Sequence, residues 1–198
     1  MAAFGAKYIR FAPVSAEPDA ALPQYGEAIQ LGALVRADLT VNLASGEIYG
    51  DDVLDERVEE FVSGTLAVEV TDLEDEKEKV IFGSTMGEDG ELKDNTADSI
   101  PYGGLGYIKT LIRGSKKKYK AYYYPKVKAV MGNDSAATKS SSITLASSPL
   151  SFTIFEPKTG DWRYRKTFES EAEAKAYIDG KLTGSEAQTA SEDPEATE

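Results

Sequence analysis

The sequence predicts a mainly β protein: a β-sandwich or partly open barrel with one or two flanking α-helices. Three observations carry that expectation. From residue 31 to 43 every odd position is apolar (Leu31, Ala33, Val35, Ala37, Leu39, Val41, Leu43), while Arg36, Asp38, Thr40 and Asn42 fall between them. This is the period of a strand with one buried face. Two more strand-like runs, 107–113 and 117–131, flank Gly114-Ser115-Lys116 and read as a hairpin. Only two segments have helical spacing, and a chain of many strands with few helices buries its apolar faces sheet against sheet.

The elements follow in order. Residues 13–26 contain Pro13, Pro18 and Pro23 among small side chains and read as extended chain, so 1–26 is assigned as an N-terminal arm and 27–182 as the β domain. Leu66, Val68 and Val70 alternate with Thr65, Ala67 and Glu69 as a second strand. Residues 72–82 are expected to be a helix, with Asp72 as cap, Leu73, Val80 and Ile81 on one face and Gly83 as the stop. Residues 87–99 are polar, acidic and soft. In the hairpin's second arm, Tyr119, Ala121, Tyr123, Val127, Ala129 and Met131 are expected on one face and Lys118, Lys120, Lys126 and Lys128 on the other. Strands at 143–145, 152–155 and 162–168 complete the sheet. Ser170-Glu171-Ala172-Glu173 is a capping-box pattern that opens a helix through Ala174, Tyr177 and Ile178, with Gly180 to stop it. Residues 183–198 carry five acids, no base and almost no apolar side chain. Such a segment has too little to bury against its ordering entropy and is expected to be a disordered tail.

Composition narrows the chemistry. The 198 residues include no cysteine and no histidine, which removes thiolate metal sites, cysteine nucleophiles, His-based triads and His ligands. Twenty-two Lys and Arg against thirty-four Asp and Glu give a net charge of −12, unfavourable for nucleic-acid binding as a whole. The opening Met-Ala-Ala-Phe-Gly-Ala-Lys-Tyr lacks the basic and apolar regions of a secretory leader, and no apolar run approaches the roughly 18 residues of a membrane span. Residues 107–128 are the exception to the acidity, with eight Lys and Arg and no acid.

No catalytic constellation emerges. Asp51, Asp52, Asp55, Glu56, Glu59 and Glu60 form the densest acid cluster. Paired carboxylates can hold Ca²⁺ or hydrolyse glycosides, but the spacing matches no Ca²⁺ loop, and such runs are ordinarily solvated or partner-facing. Glu74, Asp75, Glu76 and Glu78 read as an exposed helix face. Tyr102-Gly103-Gly104-Leu105-Gly106 lacks the Lys-Ser/Thr ending of a phosphate loop and leads into a strand, so it reads as a flexible entry to the hairpin. The Lys and Tyr mixture at 116–128 is the one stretch that resembles a nucleic-acid surface, and its plainer reading is a strand with one apolar and one basic face.

Several stretches in sequence resemble the major tail protein, or tail tube protein, of long-tailed bacteriophages with flexible tails. They are Tyr25-Gly26-Glu27 running into Leu31-Gly32-Ala33, then Ile48-Tyr49-Gly50-Asp51-Asp52 before Leu54. Gly106-Tyr107-Ile108 follows, with Tyr119 and Tyr124-Pro125-Lys126-Val127-Lys128, then Thr138-Lys139 before Ile143, Pro149-Leu150-Ser151, and Trp162 ahead of the C-terminal helix. The resemblance spans roughly residues 5–182. It implies a β-sandwich or barrel protomer, six per ring, with rings stacked into a virion tail tube assembled in the host cytoplasm. It also implies no cofactor and no active site, and as partners the chain itself, a tape measure protein, a tail terminator and baseplate or tail-tip proteins. DNA would pass through the lumen without specific binding, and no membrane would be involved.

Further expectations follow from that likeness. Residues 42–56, with Ile48 and Tyr49 among Asp51, Asp52, Asp55 and Glu56, form a long loop suited to reach an adjacent ring. A lumen of DNA's own sign keeps passage smooth, so the face of Lys118, Lys120, Lys126 and Lys128 should lie outside or meet a neighbour's acids. Two rival classes are a β-sandwich module binding a ligand such as carbohydrate on Trp162 and the tyrosines, and a carboxylate enzyme built on residues 51–60.

Overall fold

The computed structural model describes residues 2–50, 53–114, 116–132 and 147–184. Eleven strands and two helices succeed one another in it. They are β1 (Ala2–Ala16), β2 (Gln24–Tyr25), β3 (Ile29–Gly32), β4 (Leu34–Gly50), β5 (Val53–Val70), α1 (Asp75–Phe82), β6 (Thr85–Met86) and β7 (Leu92–Lys93), followed by β8 (Tyr102–Arg113), β9 (Lys116–Val130), β10 (Ser148–Ile154), β11 (Tyr164–Phe168) and α2 (Glu171–Thr183). The fold is mainly β with two helices, as the sequence predicts. One antiparallel sheet runs β2-β1-β8-β9-β10-β5-β4, with β3 added on β1 and β11 on β9, and β6 pairs with β7 separately.

The sheet curls on itself because its two ends feed one core. Ile9 and Phe11 from β1, Leu105 and Tyr107 from β8, Leu66 and Val68 from β5 and Phe152 and Ile154 from β10 bury together. A second core lies on the opposite side of β1, β8 and β9. There Ala174, Ile178 and Leu182 of α2 pack on Ala12, Ile108, Ala121 and Tyr123.

Several expectations are corrected. Residues 31–43 are not one half-buried strand: the run is divided at Ala33 between β3 and β4, Leu34 is buried, and Val35, Val41 and Leu43 are exposed, because the pairing with β5 shifts between Leu34 and Arg36 and again between Asn42 and Leu43. Residues 1–26 are not a separate arm: β1 is hydrogen-bonded between β8 and the short strands β2 and β3, with Ile9, Phe11 and Ala12 fully buried. Its pairing shifts twice along β8, which breaks the alternation that would have revealed a strand. Gly103, Gly104 and Gly106 are not a flexible entry either, since they lie inside β8 where close neighbours leave no room for a side chain. Finally, α2 does not stop at Gly180. Ser170 caps it as expected, its Oγ accepting from the Glu173 N–H at 3.2 Å, but the helix runs on to Thr183 and ends at Gly184 with φ 71°. Leu182, one more step along the Ala174 and Ile178 stripe, is fully buried. Its burial, worth about 1.5–3 kcal/mol, outweighs the roughly 1 kcal/mol that an internal glycine costs.

Helix α1 begins later than expected, with Glu74 rather than Asp72 at its N-cap, and ends at Gly83 in the left-handed conformation, φ 76°. The soft segment at 87–99 holds β7 and the turn leading to it from β6. The strand expected at 162–168 is ordered as β11 from Tyr164. The strand at 143–145 and all but the first two residues of the acidic tail lie outside the described residues.

Candidate functional site

Much of the chain's charge lies on two segments, a ribbon that leaves the core and a hairpin whose one face stays on it. The first is a ribbon rather than the loop expected at 42–56. Strands β4 and β5 stay paired from Leu34↔Val70 out to Gly50↔Val53, whereas β10 accompanies β5 only as far as Ile154↔Gly64. Beyond that point, among the described residues, β4 and β5 pair only with each other. Two strands alone are marginal in water, and the ribbon's base is secured by Phe61 stacked on Trp162 at 4.2 Å and 4°. Ile48 and Tyr49 belong to β4 and Asp55 and Glu56 to β5, with Ile48 opposite Glu56; Asp51 and Asp52 lie outside the described residues. A register shift between Asn42 and Leu43 sets Val62 apart from the ladder. The ribbon leaves Val41, Leu43, Val58 and Val62 exposed. Arg57 pairs with Glu59 at 2.6 Å and with Glu47 at 3.7 Å, and residues 47–60 hold seven acids against that one base.

The second is the β8–β9 hairpin beyond Tyr107 and Tyr122, which stack at 5.1 Å; β1 and β11 flank it, and Ile108 and Ala121 on its other face are buried under α2. Here the four lysines expected on one face are divided. Along β8 the pairing steps two residues from Gly103 to Leu105, while β9 steps three, from Val127 to Tyr124. One extra residue at Pro125-Lys126 makes a bulge and exchanges the faces of β9 on either side of it. Lys118 and Lys120 therefore share a face with Lys109, Tyr107 and Tyr122, whereas Lys126 and Lys128 share the opposite face with Tyr102, over whose ring both ammonium groups lie. Lys126 is also held by both carboxylate oxygens of Glu17, at 3.0 and 2.7 Å. Burial would raise the Glu17 pKa, but the Lys126 bond and the Lys158 N–H and charge outweigh it and hold the carboxyl below its ordinary value. On the other face, Lys109 and Lys120 both lie over the Tyr122 ring at 5.6 Å, and Arg165 stands beside Tyr122 on β11. Lys118 pairs with Glu169 at 2.8 Å and keeps that carboxyl below its ordinary range. Among the described residues, no carboxylate pairs with Lys109, Lys120 or Arg165.

The ribbon and the hairpin lie at the same end of the sheet. β5 and β9 flank β10 and each is antiparallel to it, so β5 and β9 run parallel. The stretch of β5 before Gly64 and the stretch of β9 before Val127 thus project past the end of β10 together. Among the described residues, no hydrogen bond or ion pair joins ribbon to hairpin.

The other candidate groups are placed as follows. Glu74, Asp75, Glu76 and Glu78 lie at or in α1, where Lys77 pairs with Glu74 at 3.0 Å. Among the described residues, no group of three or more carboxylates is arranged to hold a metal ion. Trp162 has Phe61 stacked on its ring and the Arg163 guanidinium 4.5 Å from its centroid. Tyr107, Tyr123 and Tyr124 are buried. Burial pushes the Tyr25, Tyr107 and Tyr123 hydroxyls far above their ordinary pKa, and Tyr164 is raised to about 12 by burial and its bond to Asp161. Sequence reasoning missed Glu17, Glu169 and Arg165, because nothing local ties them to the lysines or tyrosines they meet. No family model and no curated protein matches the chain.

Proposed function

We propose that the chain is a structural protomer of the tail tube type, assembling with itself into stacked hexameric rings that form a conduit for DNA in a phage tail. The observation that carries this reading is the ribbon: a long, two-stranded extension, apolar at its base and acidic beyond, with one edge of β4 unpaired among the described residues. An exposed edge of that length is a template for another chain, and a ribbon that is marginal alone gains its order from what it packs on. The resemblance in sequence order from Tyr25 to Tyr177 supports the same reading, and the protomer's mainly β architecture is compatible with it. The tape measure, terminator and tail-tip proteins are the further partners that this reading brings.

Negative-stain microscopy of concentrated purified protein tests it, alone and with tail-initiating components. Rings or tubes of uniform width are expected. A strict monomer under both conditions, by sedimentation, overturns the proposal. A gain in thermal stability on adding a saccharide, with the protein still monomeric, would instead favour a ligand-binding module.

A further inference from the structure

The geometry points to a specific contact between copies: the acidic β4–β5 ribbon of one docks on the basic Lys109, Lys118, Lys120 and Arg165 face of the β8–β9 hairpin of another. The inference rests on the self-assembly reading and names the partner surface that it leaves open.

Complementary charge is the first argument. The described residues of the ribbon from 47 to 60 hold five acids and one arginine, and residues 109–120 hold six bases and no acid. Each arm repels its own kind and attracts the other, so charge favours this pairing over ribbon on ribbon or hairpin on hairpin. The second argument is what the protomer leaves unmatched. Lys126 is committed to Glu17 and stacked with Lys128 over Tyr102 on the far face, so the bulge removes those two from the surface. Lys109 and Lys120 lie instead over Tyr122, a half-buried aromatic that holds both cations together on this face. The Lys118–Glu169 pair is no obstacle, because Glu169 is 79% exposed and an exposed pair exchanges partners at little cost. The third argument is apolar continuity. Leu43 and Val62 are exposed at the ribbon's base, where a docked neighbour would cover them.

The test uses the chain's lack of native cysteine. Glu59→Cys and Lys120→Cys are made as separate proteins, mixed at high concentration and treated with a short bis-maleimide. Cross-linked dimers containing one of each are expected, with few dimers of a single kind. No mixed product, or a majority of Glu59→Cys homodimers, overturns the contact. A charge series gives an independent reading. Lys109→Glu with Lys120→Glu should lower the assembled fraction at least about tenfold, as expected when opposed charges become like. Lys128→Glu with Lys166→Glu, the same change in charge on the opposite face, should not. Adding Glu59→Lys and Glu60→Lys to the hairpin reversal should restore assembly, because two acid–lysine pairs are then remade with the partners exchanged. Equal effects of the two reversals, or no restoration, overturn the contact. The two readings fail separately: uniform tubes indifferent to the hairpin reversal leave tube assembly standing and refute this contact. Mixed dimers that never extend to rings uphold the contact and refute the tube.

Discussion

Placing a methyl group on Gly106 tests how α2 is seated. An alanine Cβ there would lie 2.6 Å from Cγ2 of Ile178 and 3.4 Å from the Tyr122 carbonyl oxygen. Carbon atoms settle at about 3.5–4.0 Å, so α2 must retreat by about 1 Å or Ile178 must leave its preferred rotamer. Ile178 has no free side on which to move, being fully buried between Ala174 and Leu182 on the α2 stripe. Overpacking of this kind costs about 1–3 kcal/mol, which for a domain of this size lowers the melting temperature by roughly 2–12 °C. Ile178→Ala alone should cost about 2–5 kcal/mol through the cavity it leaves. In the double variant the new methyl group occupies part of that cavity, so the combined cost should fall short of the sum by at least about 1 kcal/mol. Urea melts of the four proteins, followed by near-UV circular dichroism, measure the cycle. Additive costs would show that Gly106 and Ile178 do not share the space, and would refute the account of why β8 carries its glycines. Gly103→Ala should be worse, since its Cβ would meet the Phe11 ring and lie 2.8 Å from the backbone carbonyl oxygen of Ala12, which cannot rotate away.

Alkaline titration should separate the tyrosines into two sets. The folded pKa values of Tyr25, Tyr107, Tyr123 and Tyr124 are raised by burial, so the stability they contribute is complete below about pH 10 and lost as pH rises toward the folded values. Their phenolate absorbance should appear only together with unfolding, and gradual ionisation in a native far-UV spectrum would refute the burial. In acid the Glu17 carboxyl, depressed by Lys126 and Lys158, contributes stability that is present above about pH 4.5 and lost as pH falls through its folded value. Glu17→Gln should therefore flatten the acid limb of the stability curve, and an unchanged limb would refute the pairing. Deleting residues 185–198 should leave the melting temperature within the roughly ±0.5 kcal/mol of a neutral surface change, whereas truncation from Lys181 removes the buried Leu182 and should cost about 2 kcal/mol or more.

How much the sequence discloses depends on whether a local period survives. The run at 65–70 keeps its alternation, with Leu66, Val68 and Val70 buried as the period assigns. The run at 31–43 does not: the chain breaks at Ala33 between β3 and β4, Leu34 is buried instead of Val35, and past the second register shift Leu43 is exposed. The Ser170 cap is legible because its hydrogen bond spans three residues. The Pro125 bulge is not, since it inserts one residue into one strand and is visible only against the partner strand's count. Reading straight through it joins Lys126 and Lys128 to Lys118 and Lys120, which the fold separates. The glycines of β8 mislead for a related reason. Their neighbours, Phe11, Tyr25 and Ile178, are distant in sequence, so a packing requirement looks like flexibility. Residues 42–56 look like a loop because Ser45, Gly46 and a run of acids interrupt the alternation, although cross-strand pairing continues to Gly50.

On the proposed contact, copies of a chain with net charge −12 face two electrostatic forces of different range. Repulsion between whole copies acts over tens of ångströms, while an acid on the ribbon and a lysine on the hairpin would interact within a few. Salt removes the long-range force first, because the Debye length falls to about 10 Å at 0.1 M and about 3 Å at 1 M. Assembly should therefore rise between very low and moderate ionic strength, as repulsion is screened and contact pairs persist, and fall again toward about 1 M, as the exposed pairs are screened in turn. Light scattering across a salt series reads this directly. A monotonic rise would mean that buried apolar area alone holds the copies together and that the arms do not meet. A monotonic fall would mean that the acidity outside the two arms is too dispersed to oppose association.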